Sequence, residues 1–100
     1  MNPIIRRSRQ SIVDLDEIWD YIARDSEFQA ERWIRRIEER IQHLARHNGA
    51  GHPRQELAPG LRSAQLKDHV IFYRPIGETG IEVVRILHTS RDIQPDFFEP

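Results

Sequence analysis

The sequence contains no cysteine, one methionine and only one lysine, and it has no long apolar run. Without cysteine the chain cannot form a disulfide, use a thiolate nucleophile or build a cysteine-based zinc site. No apolar stretch approaches the roughly 18 residues of a membrane-spanning helix, and the opening MNPIIRRSRQ lacks the apolar centre of a signal peptide. We therefore expect a cytoplasmic protein with no membrane partner.

The charges are almost balanced, with 15 Lys and Arg residues against 16 Asp and Glu residues. No net field therefore draws the chain to nucleic acid or to anionic lipid, and only local patches could do so. Every cation except Lys67 is an arginine, whose planar guanidinium makes bidentate contacts to carboxylate or phosphate. The 100 residues, 38% of them hydrophobic, predict a single domain over 1–100 with a thin core.

The spacing of apolar residues predicts an α+β fold. Ser8 is a candidate cap for a first helix, and Ser26 followed by Gln29 matches the capping box of a second. The predicted elements are a strand at 3–7, helices from Ser8 to near Asp25 and from Ser26 to near Asn48, and strands at 61–67, 69–75 and 81–88. This order, βααβββ, indicates a small antiparallel sheet with an α-helical hairpin packed on one face.

Apolar stripes at helical spacing define the inner faces that we predict for the two helices. In the first helix the stripe is Ile12, Leu15, Ile18, Trp19 and Ile22, and the acids Asp14, Asp16, Glu17 and Asp20 are placed on the outer face. In the second helix the stripe is Ala30, Trp33, Ile34, Ile37, Ile41 and Leu44.

The last two strands are apolar on both faces. In the last strand, strict alternation places Ile81, Val83, Arg85 and Leu87 on one face and Glu82, Val84, Ile86 and His88 on the other. In the strand before it, Val70 and Phe72 lie on one face and Ile71 and Tyr73 on the other. A helical hairpin covers one face only, and each apolar side chain left in water forfeits about 1.5–3 kcal/mol. Either the tail aromatics Phe97 and Phe98 fold back over the second face, or a second chain covers it.

Five segments of this sequence resemble the ParE/RelE superfamily of bacterial type II toxins, and the order of these segments along the chain resembles the ParE branch. They are DLDEIWDYIA in the first helix, the tryptophan-bearing second helix, HPRQELAPGLR before the second strand, HVIFYR in the third strand and VVRILHTSRD in the fourth. The resemblance spans essentially the whole chain. It implies the toxin fold and a toxin encoded beside its antitoxin.

Similarity to the ParE branch implies a toxin that poisons DNA gyrase without chemistry of its own, with a ParD-like antitoxin wrapping it and a possible higher-order toxin–antitoxin assembly. The RelE branch implies the alternative of a ribosome-dependent mRNA endoribonuclease. A non-toxic interaction module with the same fold is a second alternative. Val70 occupies the place where RelE-like enzymes carry a cation, and the tail has no tyrosine, so the sequence favours the ParE branch.

The resemblance assigns roles to two groups of residues. The proposed target-binding residues are Arg62, His88, Arg91 and Asp92, and the proposed antitoxin-binding residues are Val84, Ile86, Ile71, Tyr73 and Trp33. We expect no catalytic residue in a gyrase inhibitor, whereas a ribonuclease would use His88, Arg91 and Arg62. Structural roles stay open for the target-binding group: Arg62 could hold its loop, His88 could be internally bonded, and Asp92 could pair with an arginine or cap the tail turn.

No cofactor or metal is expected. His43 and His47 stand one helical turn apart with His52 shortly after, which is a spacing that metal ligands use. No glutamate follows His43 as in metalloproteases, and a third ligand from a loop has no support in the sequence, so we do not expect a metal site there.

Overall fold

The computed structural model describes residues 2–98. Its elements are β1 (Ile4–Arg7), α1 (Arg9–Ala23), α2 (Glu27–Arg46), β2 (His52–Pro53), β3 (Arg62–Leu66), β4 (His69–Pro75), β5 (Gly80–His88) and a short 3-10 helix (Pro95–Phe98). The predicted α+β class and the predicted order of the main elements are confirmed. The two-residue β2 is an addition that the sequence pattern did not indicate.

Both helices begin where their caps predict. The Ser8 Oγ accepts a hydrogen bond from the Ser11 amide at 3.0 Å, and the Ser26 Oγ accepts one from the Gln29 amide at 3.2 Å. Each bond satisfies an amide that has no partner within the helix. The Ser8 hydroxyl also donates to the carbonyl oxygen of Val84 at 2.6 Å, which ties the start of α1 to β5.

The sheet is mixed, with strand order β1-β5-β4-β3-β2. Strands β2 to β5 pair antiparallel, which was predicted for β3, β4 and β5, but β1 pairs with β5 in parallel. The prediction of a wholly antiparallel sheet was wrong at this strand because β1 pairs with the last strand of the chain. Short connections fix antiparallel pairing only between strands that follow each other.

A β-bulge in β5 changes which side chains share a face. Phe72 stands opposite Arg85 and Tyr73 stands opposite Val83, so Val84 is the extra residue. A bulge interrupts the period of two. Ile81, Val83 and Ile86 consequently pack in one core cluster, and Val84 and Leu87 pack in the other. The predicted assignment of β5 side chains to faces was therefore wrong beyond Val84.

Both faces of the sheet are closed by the chain itself. One cluster joins the sheet to Ile37, Ile41, Leu44 and Ala45 of α2. The other buries Phe72, Val84 and Leu87 beneath Ala58, Leu61 and Phe98, with Phe72 and Phe98 ring centroids 4.8 Å apart. Of the two interpretations of the second sheet face, closure by the tail is the one that the structure has, and the alternative of cover by a second chain was wrong.

Candidate functional site

An open cleft of about 820 Å³ lies between α1, the first half of α2 and the ends of β4 and β5. Its α1 wall is mostly apolar, with Ile18, Tyr21 and Ile22, whereas His69, His88 and several cations lie on the other side. Pockets of this size commonly receive a ligand or a peptide segment.

A row of three rings forms the floor of this cleft. The Trp33 Nε1–H donates to His69 Nδ1 at 3.1 Å, and the centroids of these two rings are 5.6 Å apart. His69 meets His88 edge to face at 5.3 Å. His88 Nδ1 in turn accepts the backbone N–H of Ser90 at 3.0 Å and lies 2.7 Å from the Ser90 Oγ.

These hydrogen bonds fix the tautomers of both histidines. A ring nitrogen that accepts an N–H bond cannot carry a proton, so each neutral ring holds its proton on Nε2. Burial, followed by the neighbouring His88, lowers the pKa of His69, and Asp68 opposes that shift. Burial therefore favours the neutral form of His69. Both rings present an N–H donor at Nε2 without requiring a positive charge.

Four cations contribute to the cleft lining: Arg32, Arg36, Lys67 and Arg91. The Arg36 guanidinium carbon lies 5.4 Å from the centroid of the Trp33 ring, which covers one face of the indole. The lining also contains the acids Asp14, Glu17 and Asp68.

Asp14 is buried and is already paired. Its carboxylate accepts bonds from Arg85 Nε at 2.9 Å and Nη2 at 3.0 Å, and from the Ile86 amide at 2.9 Å. Asp14 was predicted to lie on the outer face of the first helix, and this prediction was wrong. Two signals in the sequence indicate the pair of Asp14 with Arg85. Asp14 follows Ser11 by three residues and precedes Ile18 by four, so these three side chains share one face of the helix. Arg85 is the one charged residue within the otherwise apolar stretch VVRIL. Ile12, predicted to be inward, is 48% exposed.

Comparison with known proteins identifies the family. The sequence model of the family described as "ParE toxin of type II toxin-antitoxin system, parDE" matches residues 5–93. The chain belongs to this ParE toxin family. It is 38% identical over 86 residues to Toxin ParE1 of Caulobacter vibrioides, covering 85% of this chain and 88% of that one.

Two further similarities agree with this assignment. Toxin ParE1 of Mycobacterium tuberculosis is 38% identical over 80 residues, which is 79% of this chain and 82% of the relative. A solved chain from the chromosomal ParDE system of P. aeruginosa superposes with a TM-score of 0.71 at 24% identity, covering 87% of this chain and 96% of that chain, and this likeness concerns the fold. The predicted function as the toxin of a type II toxin–antitoxin system is confirmed, and an antitoxin is the partner that such a system supplies.

In this ParE toxin the proposed target-binding residues are divided between two places. Arg62 lies opposite Tyr73, whereas His88 lies opposite His69 at the other end of β4. The Arg62 guanidinium donates to the carbonyl oxygen of Gly51 at 2.6 Å, so it holds the loop after α2. The structure therefore separates Arg62 from His88, and the ribonuclease set of His88, Arg91 and Arg62 is not assembled.

The other two proposed target-binding residues follow β5. The Arg91 guanidinium carbon lies 5.0 Å from the centroid of the Phe97 ring, and Arg91 remains exposed. The Asp92 carboxylate accepts a bond from Gln94 Nε2 at 2.8 Å within the tail turn.

Four of the five proposed antitoxin-binding side chains are buried in the toxin itself. Ile71 and Tyr73 are fully buried, Ile86 is 2% exposed and Val84 is 7% exposed. The physical reason is that the helices cover one face and the tail covers the other. In this conformation these four cannot form the open contact surface that was inferred for them, whereas Trp33 is half-buried and lines the cleft.

Within residues 2–98, no group of three potential ligand side chains is arranged to hold a metal ion. No helix in that part of the chain has the length and apolarity to cross a membrane.

Proposed function

We propose that this toxin acts in the cytoplasm by binding DNA gyrase, that it performs no chemistry of its own, and that a ParD-like antitoxin neutralises it. The observation that carries this proposal is the match to the ParE family over residues 5–93. Resemblance to the ParE branch implies gyrase as the target. The designation parDE in the family description supports ParD as the class of antitoxin.

The geometry at the end of β5 favours binding over RNA cleavage. Cleavage at a 2′-hydroxyl needs a general base with a free lone pair, together with a cation for the developing phosphate charge. In the neutral form His88 carries its proton on Nε2 and uses its Nδ1 lone pair for Ser90. Arg62, the second cation of the hypothetical ribonuclease set, is occupied with the carbonyl oxygens of Gly49 and Gly51.

Purified components test this proposal directly. The toxin is produced together with the antitoxin encoded beside it and separated from it. DNA gyrase supercoiling and DNA cleavage are then measured next to cell-free translation, with and without added antitoxin. We expect inhibited supercoiling, accumulation of cleaved DNA and unaffected translation, all of which the antitoxin reverses.

Two other outcomes would identify the alternatives. Blocked translation with normal gyrase would indicate the ribonuclease of the RelE kind. Normal gyrase and normal translation, with tight antitoxin binding, would indicate an interaction module that has no toxic target. Size-exclusion chromatography of the toxin–antitoxin complex measures whether a higher-order assembly forms.

A further inference from the structure

We propose that the cleft between α1 and the ends of β4 and β5 receives a protein segment with acidic and apolar side chains, whose carboxylates bind at His69 and His88. The occupant that this chemistry fits is a segment of the antitoxin, so the proposal rests on the proposed function for the identity of the partner. It adds the position of that segment and the side chains that recognise it.

The first argument is the supply of hydrogen-bond donors. Since the Nδ1 atoms of His69 and His88 accept bonds from Trp33 and Ser90, both rings offer Nε2–H donors in the neutral form. The two ring centroids are 5.3 Å apart. A carboxylate has two oxygens that accept hydrogen bonds, so neighbouring donors of this kind match it.

The second argument is the local excess of positive charge. The lining holds Arg32, Arg36, Lys67 and Arg91, against Glu17, Asp68 and a third acid, Asp14, whose charge is already balanced by Arg85. The whole chain has a formal net charge of -1. The excess is therefore a property of this cleft, and it favours an anionic group at this place without drawing polyanions to the rest of the surface.

The third argument separates an acidic protein segment from nucleic acid. Ile18 and Ile22 line the wall beside the cations, and apolar side chains of a peptide can pack there, whereas a phosphate backbone gains nothing from them. Glu17 and Asp68 repel a continuous polyanion. The indole of Trp33 is also poorly placed to stack on a base, because Arg36 covers its ring.

Nuclear magnetic resonance of the five histidine side chains tests the position. The probes are a synthetic peptide of Glu-Glu-Leu-Leu repeats, a Lys-Lys-Leu-Leu peptide of equal length and a single-stranded oligodeoxynucleotide. His43 and His47, whose ring centroids are 4.8 Å apart on the exposed side of α2, provide an internal control pair. We expect the acidic peptide to shift the resonances of His69 and His88 and to leave the control pair unchanged.

Substitutions test whether these side chains recognise the segment. The measurement is the affinity of each variant for the acidic peptide and for the antitoxin that is encoded beside the toxin. His88→Ala removes the donor, whereas the amide nitrogen of His88→Gln replaces Nε2. We expect roughly tenfold weaker binding by His88→Ala and recovery by His88→Gln, as for one hydrogen bond to a charged group. Arg36→Glu should weaken binding by more than the matched reversal Arg35→Glu, which lies on α2 outside the cleft lining.

Circular dichroism establishes that each variant is folded. Three results would each overturn the proposal. The first is that the oligodeoxynucleotide binds more tightly than the acidic peptide, and the second is that His43 and His47 shift as much as His69 and His88. The third is that Arg36→Glu and Arg35→Glu bind the acidic peptide with equal affinity. The gyrase assay is independent of these measurements. If gyrase is unaffected by the toxin while the peptide still shifts His69 and His88, then the target is wrong and the cleft assignment stands.

Discussion

The buried pair between Asp14 and Arg85 permits a sharp test of what holds the helical hairpin to the sheet. Asp14→Ala removes a carboxylate that is 4% exposed and leaves an arginine side chain that is 13% exposed without its partner. It also leaves the Ile86 amide without the side-chain acceptor that it has at 2.9 Å. The substitution therefore creates an uncompensated charge and an unsatisfied donor in the same place.

Breaking a buried ion pair by removing one partner costs about 3–5 kcal/mol, because the remaining charge stays in a poorly solvated site. A small domain has only about 5–15 kcal/mol of total stability. For a domain of this size each kcal/mol lowers the melting temperature by roughly 4–8 °C. We therefore expect Asp14→Ala to lose a large share of the stability and to melt far below the wild type.

Urea denaturation followed by circular dichroism measures this loss. The matched control is Asp16→Ala, an exposed acid on the same helix, which should change stability by less than about 0.5 kcal/mol. The double variant Asp14→Leu with Arg85→Met replaces the pair by apolar side chains and should recover much of the loss. If Asp14→Ala is as stable as Asp16→Ala, then the ion pair is not what joins α1 to β5.

Three further predictions concern other parts of the fold. Phe98→Ala should cost about 3 kcal/mol and increase binding of an apolar dye, because it uncovers the second core cluster, whereas Phe28→Ala, at a side chain that is 65% exposed, should not. Gly51→Ala should destabilise the fold by about 1–3 kcal/mol, since its Cβ would lie 2.5 Å from the nearest side-chain oxygen, whereas Gly49→Ala meets nothing within 4 Å. Burial lowers the pKa of His69 below its ordinary value of 6.5, so the unfolded chain binds more protons than the folded one below that pH. Thermal melting should therefore show a loss of stability as the pH falls below 6.5, and an unchanged pH profile in His69→Gln would contradict this assignment.

The local elements were predictable from the sequence because the signals that set them are local. A capping serine has its acceptor within three residues, and a helix period can be counted along the chain. The starts predicted at Ser8 and Ser26 consequently agree with the bonds to Ser11 and Gln29. The antiparallel pairing of β4 with β5 follows from a short turn in the same way.

The features that required the structure depend on residues far apart in sequence. The parallel pairing of β1 joins residues 4–7 to residues 80–83, and Asp14 meets Arg85 across 71 positions. The bulge at Val84 leaves no signal in a run of apolar residues, although it moves every later side chain of β5 to the other face. For the same reason, the cleft floor of Trp33, His69 and His88 was not anticipated as a unit.

The closure of both sheet faces changes what the antitoxin has to do. If a partner had to complete the core, then the free toxin would lose its fold when the partner left, and it could not act on a target. With Phe98 and Leu61 in place over the second face, the second core cluster is already buried without the antitoxin. Neutralisation then requires only that the antitoxin cover exposed groups, and the cleft beside Trp33 offers such groups. Val84→Asp distinguishes these roles, because it should unfold the free toxin instead of weakening antitoxin binding to a folded one.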